Sequence, residues 1–272
     1  MVNMQYRGKS IDTFGDAVKM LLINHGYDAV PYADCISLRS FAFRVNEDDW
    51  ENWLIPQVEP MDAVTRLFKF IGLGSCIQIE KETEHIWNLM EQGCLIGPVC
   101  EINQYDVQRL YYDGMKKYLY ICSERGGHYI VHDPDGFPLK LADKAEVIKS
   151  YGIDNAVAVG LRLGGKQKKS IDYKRILKEG LSYRRKNEKM LFWPKPQKRF
   201  QKIAVLCGAY NYLMQIYKIL DLTKYVDCLP SAEAEKMDQI VKELYRCILA
   251  DNMEKFIYLK NEFFILLEDE MN

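Results

Sequence analysis

A chain of 272 residues, 48% hydrophobic and 28% charged, is long enough to bury a sizeable core and has the composition of an ordinary globular protein. Lys and Arg number 37 against 38 Asp and Glu, for a formal net charge of −1, so no global field directs the chain to nucleic acid or to an anionic membrane. Eight scattered cysteines, none in a C-x-x-C pair, argue against a disulfide scaffold and a structural zinc site, and point to free thiols in a reducing compartment.

The first twenty residues show no basic-then-apolar leader pattern, and no apolar run approaches a membrane span, so a soluble, cytoplasmic protein is expected. Residues 11–24 read as a helix that starts after Ser10 as a cap and carries Phe14, Val18, Leu21 and Leu22 on one side. Gly26-Tyr27-Asp28 ends it. From Cys35 the apolar positions Leu38, Phe41, Ala42 and Val45 fall at the spacing of one helix face, with Asp34 placed to cap that helix. Further helices are expected near 60–71 and 82–92.

The texture changes at Leu95. The run 95–102 reads as a buried strand, and 118–122 and 128–132 as strands of a hairpin around Gly126-Gly127. Asp133-Pro134-Asp135-Gly136 is a turn, followed by strands over 137–141 and 156–163. Helices first and an antiparallel sheet second make an α+β domain over 1–164. Residues 164–169 (GGKQKK) read as a linker. Helices over 171–186, 200–220, 232–250 and 252–268 then make 165–272 an all-helical C-terminal region.

Two features carry chemistry. A thiol at a helix N-terminus is biased toward thiolate, and the same backbone N–H groups can hold an oxyanion, which makes Cys35 a candidate nucleophile. Its plain alternative is an inert small hydrophobe. About a hundred residues later comes the segment from Lys116 to Pro138, KKYLYICSERGGHYIVHDPDGFP.

Cys35, the strand at Gly97-Pro98-Val99 and the turn His132-Asp133-Pro134-Asp135-Gly136-Phe137-Pro138 together resemble the papain-like domain of bacteriocin-processing-type cysteine peptidases and of the butirosin-biosynthesis acyltransferase family. The resemblance spans 30–160, and the helical tail is similar in outline to the extra region of those acyltransferases. It implies that Cys35 attacks a thioester or amide, that an amine or water resolves the acyl-enzyme, and that Asp133 orients the proton carrier. It also implies a carrier-protein-bound acyl or peptidyl substrate; no cofactor is expected, and four isolated histidines, of which only His128 and His132 have H-x-x-x-H spacing, make a metal site unexpected.

The chain departs from the family where the strand should begin with His: it has Lys117-Tyr118. A tyrosine, with a pKa near 10, is a poor base at neutral pH. A hairpin centred near Arg125 sets residue 118 opposite about 132, which would let His132 serve as the base. Strand alternation, however, puts His132 and Asp133 on opposite faces unless the strand bulges there. Three functions remain open: a cysteine acyltransferase or amide-forming enzyme, a retired domain that binds a peptide or carrier-bound intermediate, and a plain cysteine peptidase.

His25 at a helix end fits a partly positive imidazole, His128 an exposed hairpin tip and His85 a solvated helix face. Lys166 to Lys169 and Tyr183-Arg184-Arg185-Lys186 read as solvated basic segments, or else as a docking surface for an acidic partner such as a carrier protein. Gly72-x-Gly74 lacks the context of a phosphate loop.

Overall fold

The computed structural model describes residues 13–46, 54–81, 83–99, 117–134, 137–145, 147, 156–188, 196 and 198–271. Ser10, the Asp135-Gly136 part of the turn, residues 100–102 of the 95–102 strand and the side chain of His85 lie outside the described residues. The chain is mixed helix and antiparallel sheet, an α+β protein. It divides into two compact units, one of Met1–Ser37 and Glu59–Ile171, the other of Leu38–Val58 and Asp172–Asn272.

The first unit is built on a six-stranded sheet. Its strands are β3 (Ile77–Glu80), β4 (Cys94–Val99), β5 (Lys117–Arg125), β6 (His128–Asp133), β7 (Phe137–Asp143) and β8 (Val157–Leu161), in the order β3-β8-β4-β5-β6-β7. Every strand pair is antiparallel. Helices cover both faces. Helix α4 (Thr83–Gln92) lays Ile86, Leu89 and Met90 on Ile96, Leu119, Ile121 and Val131 of one face. Helix α1 (Thr13–Asn24) packs on β4, β5 and β6, with Phe14 edge-on to Tyr118 at 5.0 Å between ring centres. Because Tyr118 and Leu119 are successive strand residues, α1 and α4 lie on opposite sides of the sheet. Buried residues run almost continuously along α1 from Phe14 to Leu22, as expected of a helix enclosed on several sides.

Two close approaches fix this arrangement. Gly97 has φ +153°, and a Cβ there would sit 2.5 Å from the Tyr118 ring and 2.9 Å from its Cα, so only glycine lets β4 lie against β5. Helix α3 (Pro60–Phe70) ends in a Schellman motif: Gly72, at φ +88°, donates its N–H to the Lys69 carbonyl, and Leu73 donates to Phe68.

The helix expected to run from Cys35 to Val45 does not form. Helix α2 (Ala33–Ile36) is a single turn, followed by a turn with Leu38 at φ 67° and then the strand β1 (Phe43–Val45). The carbonyl of Ile36, which a longer helix would use internally, instead accepts from Arg66 Nε at 2.8 Å, and Ser37 Oγ donates to the Asp34 carbonyl. Nor is Asp34 the cap. Tyr32 holds that position at φ 56°, and Asp34 is buried within the turn.

Among its described residues the second unit is mainly helical, with β1 paired antiparallel to β2 (Leu54–Pro56). Helices α5 (Tyr173–Asn187), α6 (Arg199–Tyr225), α7 (Ser231–Leu249) and α8 (Met253–Met271) pack each on the next, and α8 returns to α5. Asp172 caps α5 by accepting from the Arg175 N–H. Gly180 gives room to Phe41, whose ring atoms lie 2.3–2.5 Å from where a Cβ would stand. Among the described residues one helix, at Gln201–Tyr225, is long and apolar enough to cross a membrane, which the sequence reading did not anticipate, and 50% of its apolar window is buried.

The 164–169 segment is not a free linker. Lys168 donates its N–H to the Ile71 carbonyl, and Gln167 exchanges hydrogen bonds with the backbone of Asp28.

Candidate functional site

The candidate catalytic residues Cys35, Tyr118, His132 and Asp133 all belong to the first unit, and the geometry treats them differently. Cys35 is fully buried in the four-residue helix α2, which packs on α1 and α3. A single turn accumulates little dipole, so the field available to stabilise a thiolate at Cys35 is weaker than at the start of a long helix.

The helix that meets the start of β5 is α1, and the residue it brings there is Thr13. Its Oγ1 accepts a hydrogen bond from the Tyr118 N–H at 3.1 Å. Tyr118 itself is 3% exposed, wedged between Phe14 and the glycine backbone at Gly97. A side chain held by ring packing on one side and backbone on the other is a core aromatic. The sequence carried a trace of this pairing, since helix 11–24 was legible. Sequence periodicity, however, cannot say which of two amphipathic segments lies on the sheet.

Asp133 is engaged by Lys117, whose Nζ lies 2.5 Å from Oδ2. Both side chains are buried, at 0% and 5% exposure, so this is an ion pair formed away from water. Lys117 shares the strand face of Leu119 and Ile121, so the pair stands at the end of the α4-side core. The expected orienting carboxylate therefore holds an ammonium.

His132 lies on the opposite face of β6. It pairs with Tyr120, not with Tyr118, because the hairpin turns at Gly126-Gly127 and a bulge between Ile121 and Ser123 shifts the register. The Tyr120 ring stacks against the His132 ring at 6.1 Å and 25°. A second bulge, between Val131 and Asp133, sits where alternation alone separates His132 from Asp133. His132 is fully buried, and its Nδ1 accepts from the Leu139 N–H at 3.0 Å. That bond requires Nδ1 to be unprotonated, which places the proton of the neutral ring on Nε2. Burial lowers the His132 pKa from its ordinary 6.5.

The same cause acts on its neighbours. Burial raises the Cys122 thiol to about 12, against a lowering by its bond to the His132 backbone, and pushes the Cys94 thiol and the Tyr120 phenol far above their usual ranges. Burial also lowers the His25 pKa, outweighing the bond to the Leu21 carbonyl, which works against the partly positive imidazole expected at the end of α1. His128 is exposed at the hairpin tip, with Nδ1 on the Gly126 carbonyl.

A measurable consequence attaches to the buried imidazoles. The folded-state pKa of His132 lies below the unfolded value, so its contribution to stability is complete above about pH 6.5 and is lost as pH falls through the folded pKa. His25 acts with the same sign. Urea midpoints should therefore drop between about pH 7.5 and about pH 5, and His132→Asn, which keeps an acceptor for the Leu139 N–H, should flatten that slope. An unchanged slope in the variant would refute the neutral, Leu139-bonded imidazole.

Among the described residues no three His, Cys, Asp or Glu side chains gather as a metal site. In the basic run 184–186, Arg185 and Lys186 are exposed as expected of a solvated face, but Arg184 is not. Arg184 turns into the helical unit, 2.7 Å from Glu188 and 3.8 Å over the Phe264 ring, and both Arg184 and Arg185 reach Glu268. In comparison with known proteins, the chain matches no family model and no curated protein in sequence.

Proposed function

We propose that the sheet unit is a papain-like domain without a working Cys–His pair, acting in the cytoplasm as a binding module for a peptide or a carrier-bound acyl intermediate. The observation that carries this reading is the junction of α1 with β5, where a thiol and an imidazole would be needed and Thr13 and Tyr118 stand hydrogen-bonded instead. The Lys117–Asp133 ion pair supports it, because a carboxylate neutralised by a buried ammonium is poorly suited to orient an imidazole. Full burial of Cys35 in a one-turn helix supports it too. For the compartment, the seven described cysteines are all free, in keeping with a reducing environment.

The test is thiol reactivity in the native protein. An activated cysteine reacts well below its ordinary pKa, whereas a buried inert one waits for unfolding. With iodoacetamide at about pH 6, Cys35 should remain unlabelled over a time in which a thiolate of low pKa reacts to completion, and should label fully in denaturant. Rapid native labelling of Cys35, abolished in Cys35→Ala, would overturn the non-catalytic reading and restore acyl transfer or peptide hydrolysis through a Cys35 acyl-enzyme.

A further inference from the structure

A pocket of about 410 Å³ opens beside the end of α3, lined by Thr65, Lys69, Gly72, Gly74 and Ser75. That volume lies within the range of roughly 300–1,000 Å³ typical of small-molecule clefts. The end of α3 and the 71–76 loop form its wall, and two further stretches of chain lie against that loop. The 71–76 loop folds back onto α3, close enough that a Cβ on Gly74 would stand 3.0 Å from Lys69 Cα. Residues 166–168 run along the loop, with the Lys166 carbonyl and Lys168 Cγ each 3.1 Å from where a Gly72 Cβ would be. Arg162 is tied to the same loop by its N–H bond to the Cys76 carbonyl at 2.8 Å.

Cations predominate beside the pocket, although an acidic residue, Asp28, is tied to the 166–168 stretch through its backbone bonds to Gln167. Lys69, Arg162, Lys166, Lys168 and Lys169 are all exposed, and among the described residues none of them forms an ion pair. Lys168 Nζ sits 5.4 Å over the Phe70 ring, so its ammonium is held near the pocket by a cation–π contact. Lysines near a helix C-terminus also complement its dipole. Here, however, the last carbonyls already have backbone donors: Phe68, Lys69 and Ile71 accept from Leu73, Gly72 and Lys168. The cations therefore exceed what the helix end requires. Two hydroxyls, on Thr65 and Ser75, stand among them as hydrogen-bond donors.

We propose that this pocket binds a phosphate-bearing small molecule of the phosphomonoester or pyrophosphate class, with Lys69 and Lys168 supplying charge and Thr65 and Ser75 donating to phosphate oxygens. It is not a phosphate loop on a helix N-terminus; the anion is held by side-chain cations around a glycine-bearing turn at a helix C-terminus. The site is separate from Tyr118, Asp133 and His132 and does not depend on the binding-module reading.

The experiment is a calorimetric titration of the full chain with sodium pyrophosphate and with AMP, in parallel with sodium sulfate at matched ionic strength. Saturable one-to-one binding of at least one phosphate compound, with sulfate much weaker, is expected. Lys69→Ala and Lys168→Ala should each weaken it about tenfold, as loss of one charge-assisted contact does. Lys202→Ala, on the helical unit and paired with Asp251, should leave it unchanged. Thermal unfolding without ligand should be the same in all three variants, which separates a binding role from simple support of the helix end. Binding that follows ionic strength alone, or that survives in the Lys69→Ala/Lys168→Ala double variant, would overturn the proposal.

Discussion

Lys117→Met is expected to destabilise the sheet unit by about 3–5 kcal/mol, the cost of removing one member of a buried ion pair. Lys117 and Asp133 are held at 2.5 Å by neighbouring parts of β5 and β6, and neither reaches water. The attraction of the pair offsets the desolvation of both groups, and removing either partner takes that attraction from the other. The double variant Lys117→Met/Asp133→Leu, which removes both charges at similar volume, should regain most of the loss. Urea unfolding read by amide exchange in β5 and β6 would measure this. A single-variant loss under about 1 kcal/mol would show that Asp133 is stabilised by something other than Lys117. The result also bears on function, since an Asp133 whose role is the ion pair should cost stability when changed to Asn, whereas an orienting carboxylate would cost turnover first.

Glu188→Ala should be of similar size in the helical unit, about 3–5 kcal/mol. This carboxylate accepts from Tyr212 at 2.5 Å, pairs with Arg184 at 2.7 Å and lies 3.4 Å from Lys260. Tyr212 is fully buried, with its phenol pKa raised chiefly by burial and further by the Glu188 charge. Lys260 is 4% exposed, and burial is the largest influence on its pKa, which is lowered even though Glu188 opposes the shift. Removing Glu188 leaves two cations and a phenol facing one another across the α5–α6–α8 core. Lys260→Met is expected to behave differently. A lysine whose folded pKa is depressed is less favourable folded than unfolded at every pH below that pKa, and its removal relieves the desolvation while Arg184 still neutralises Glu188. Its cost should stay within about 1 kcal/mol, and chemical denaturation of the two variants side by side would show the contrast.

The missed role of Arg184 was recoverable from the chain. Tyr173, Ile176, Leu177, Gly180 and Leu181 are buried, and 184 continues their helical spacing, so periodicity already turned Arg184 inward. The YRRK cluster drew attention to charge, and charge alone does not say which side a helix presents. The failed helix at Cys35 is the opposite case. Leu38, Phe41 and Ala42 are all buried, so the apolar spacing is a true signal of burial and not of helical conformation. Phe41 is covered by Gly180, Phe43 lies 4.6 Å from Tyr212, and the backbone between Ser37 and Ala42 turns to serve those contacts.

Local rules sufficed for the elements that carry their own punctuation. The hairpin at Gly126-Gly127, the helices of the C-terminal half and the α+β order of the first unit follow from turn residues, capping and apolar period, which act over a few residues. The partnerships belong to tertiary structure alone. Which helix lies against β5, which cation meets Asp133 and which strand residue faces His132 depend on sheet register and on two bulges. A bulge shifts every later pairing by one residue while leaving little mark on composition. For the same reason the chemistry expected of Cys35, Tyr118, His132 and Asp133 was legible as a list of residue types. Its arrangement was decided by packing: Thr13 meets Tyr118 across 105 residues of sequence, and Lys117 meets Asp133 across the two strands of one hairpin.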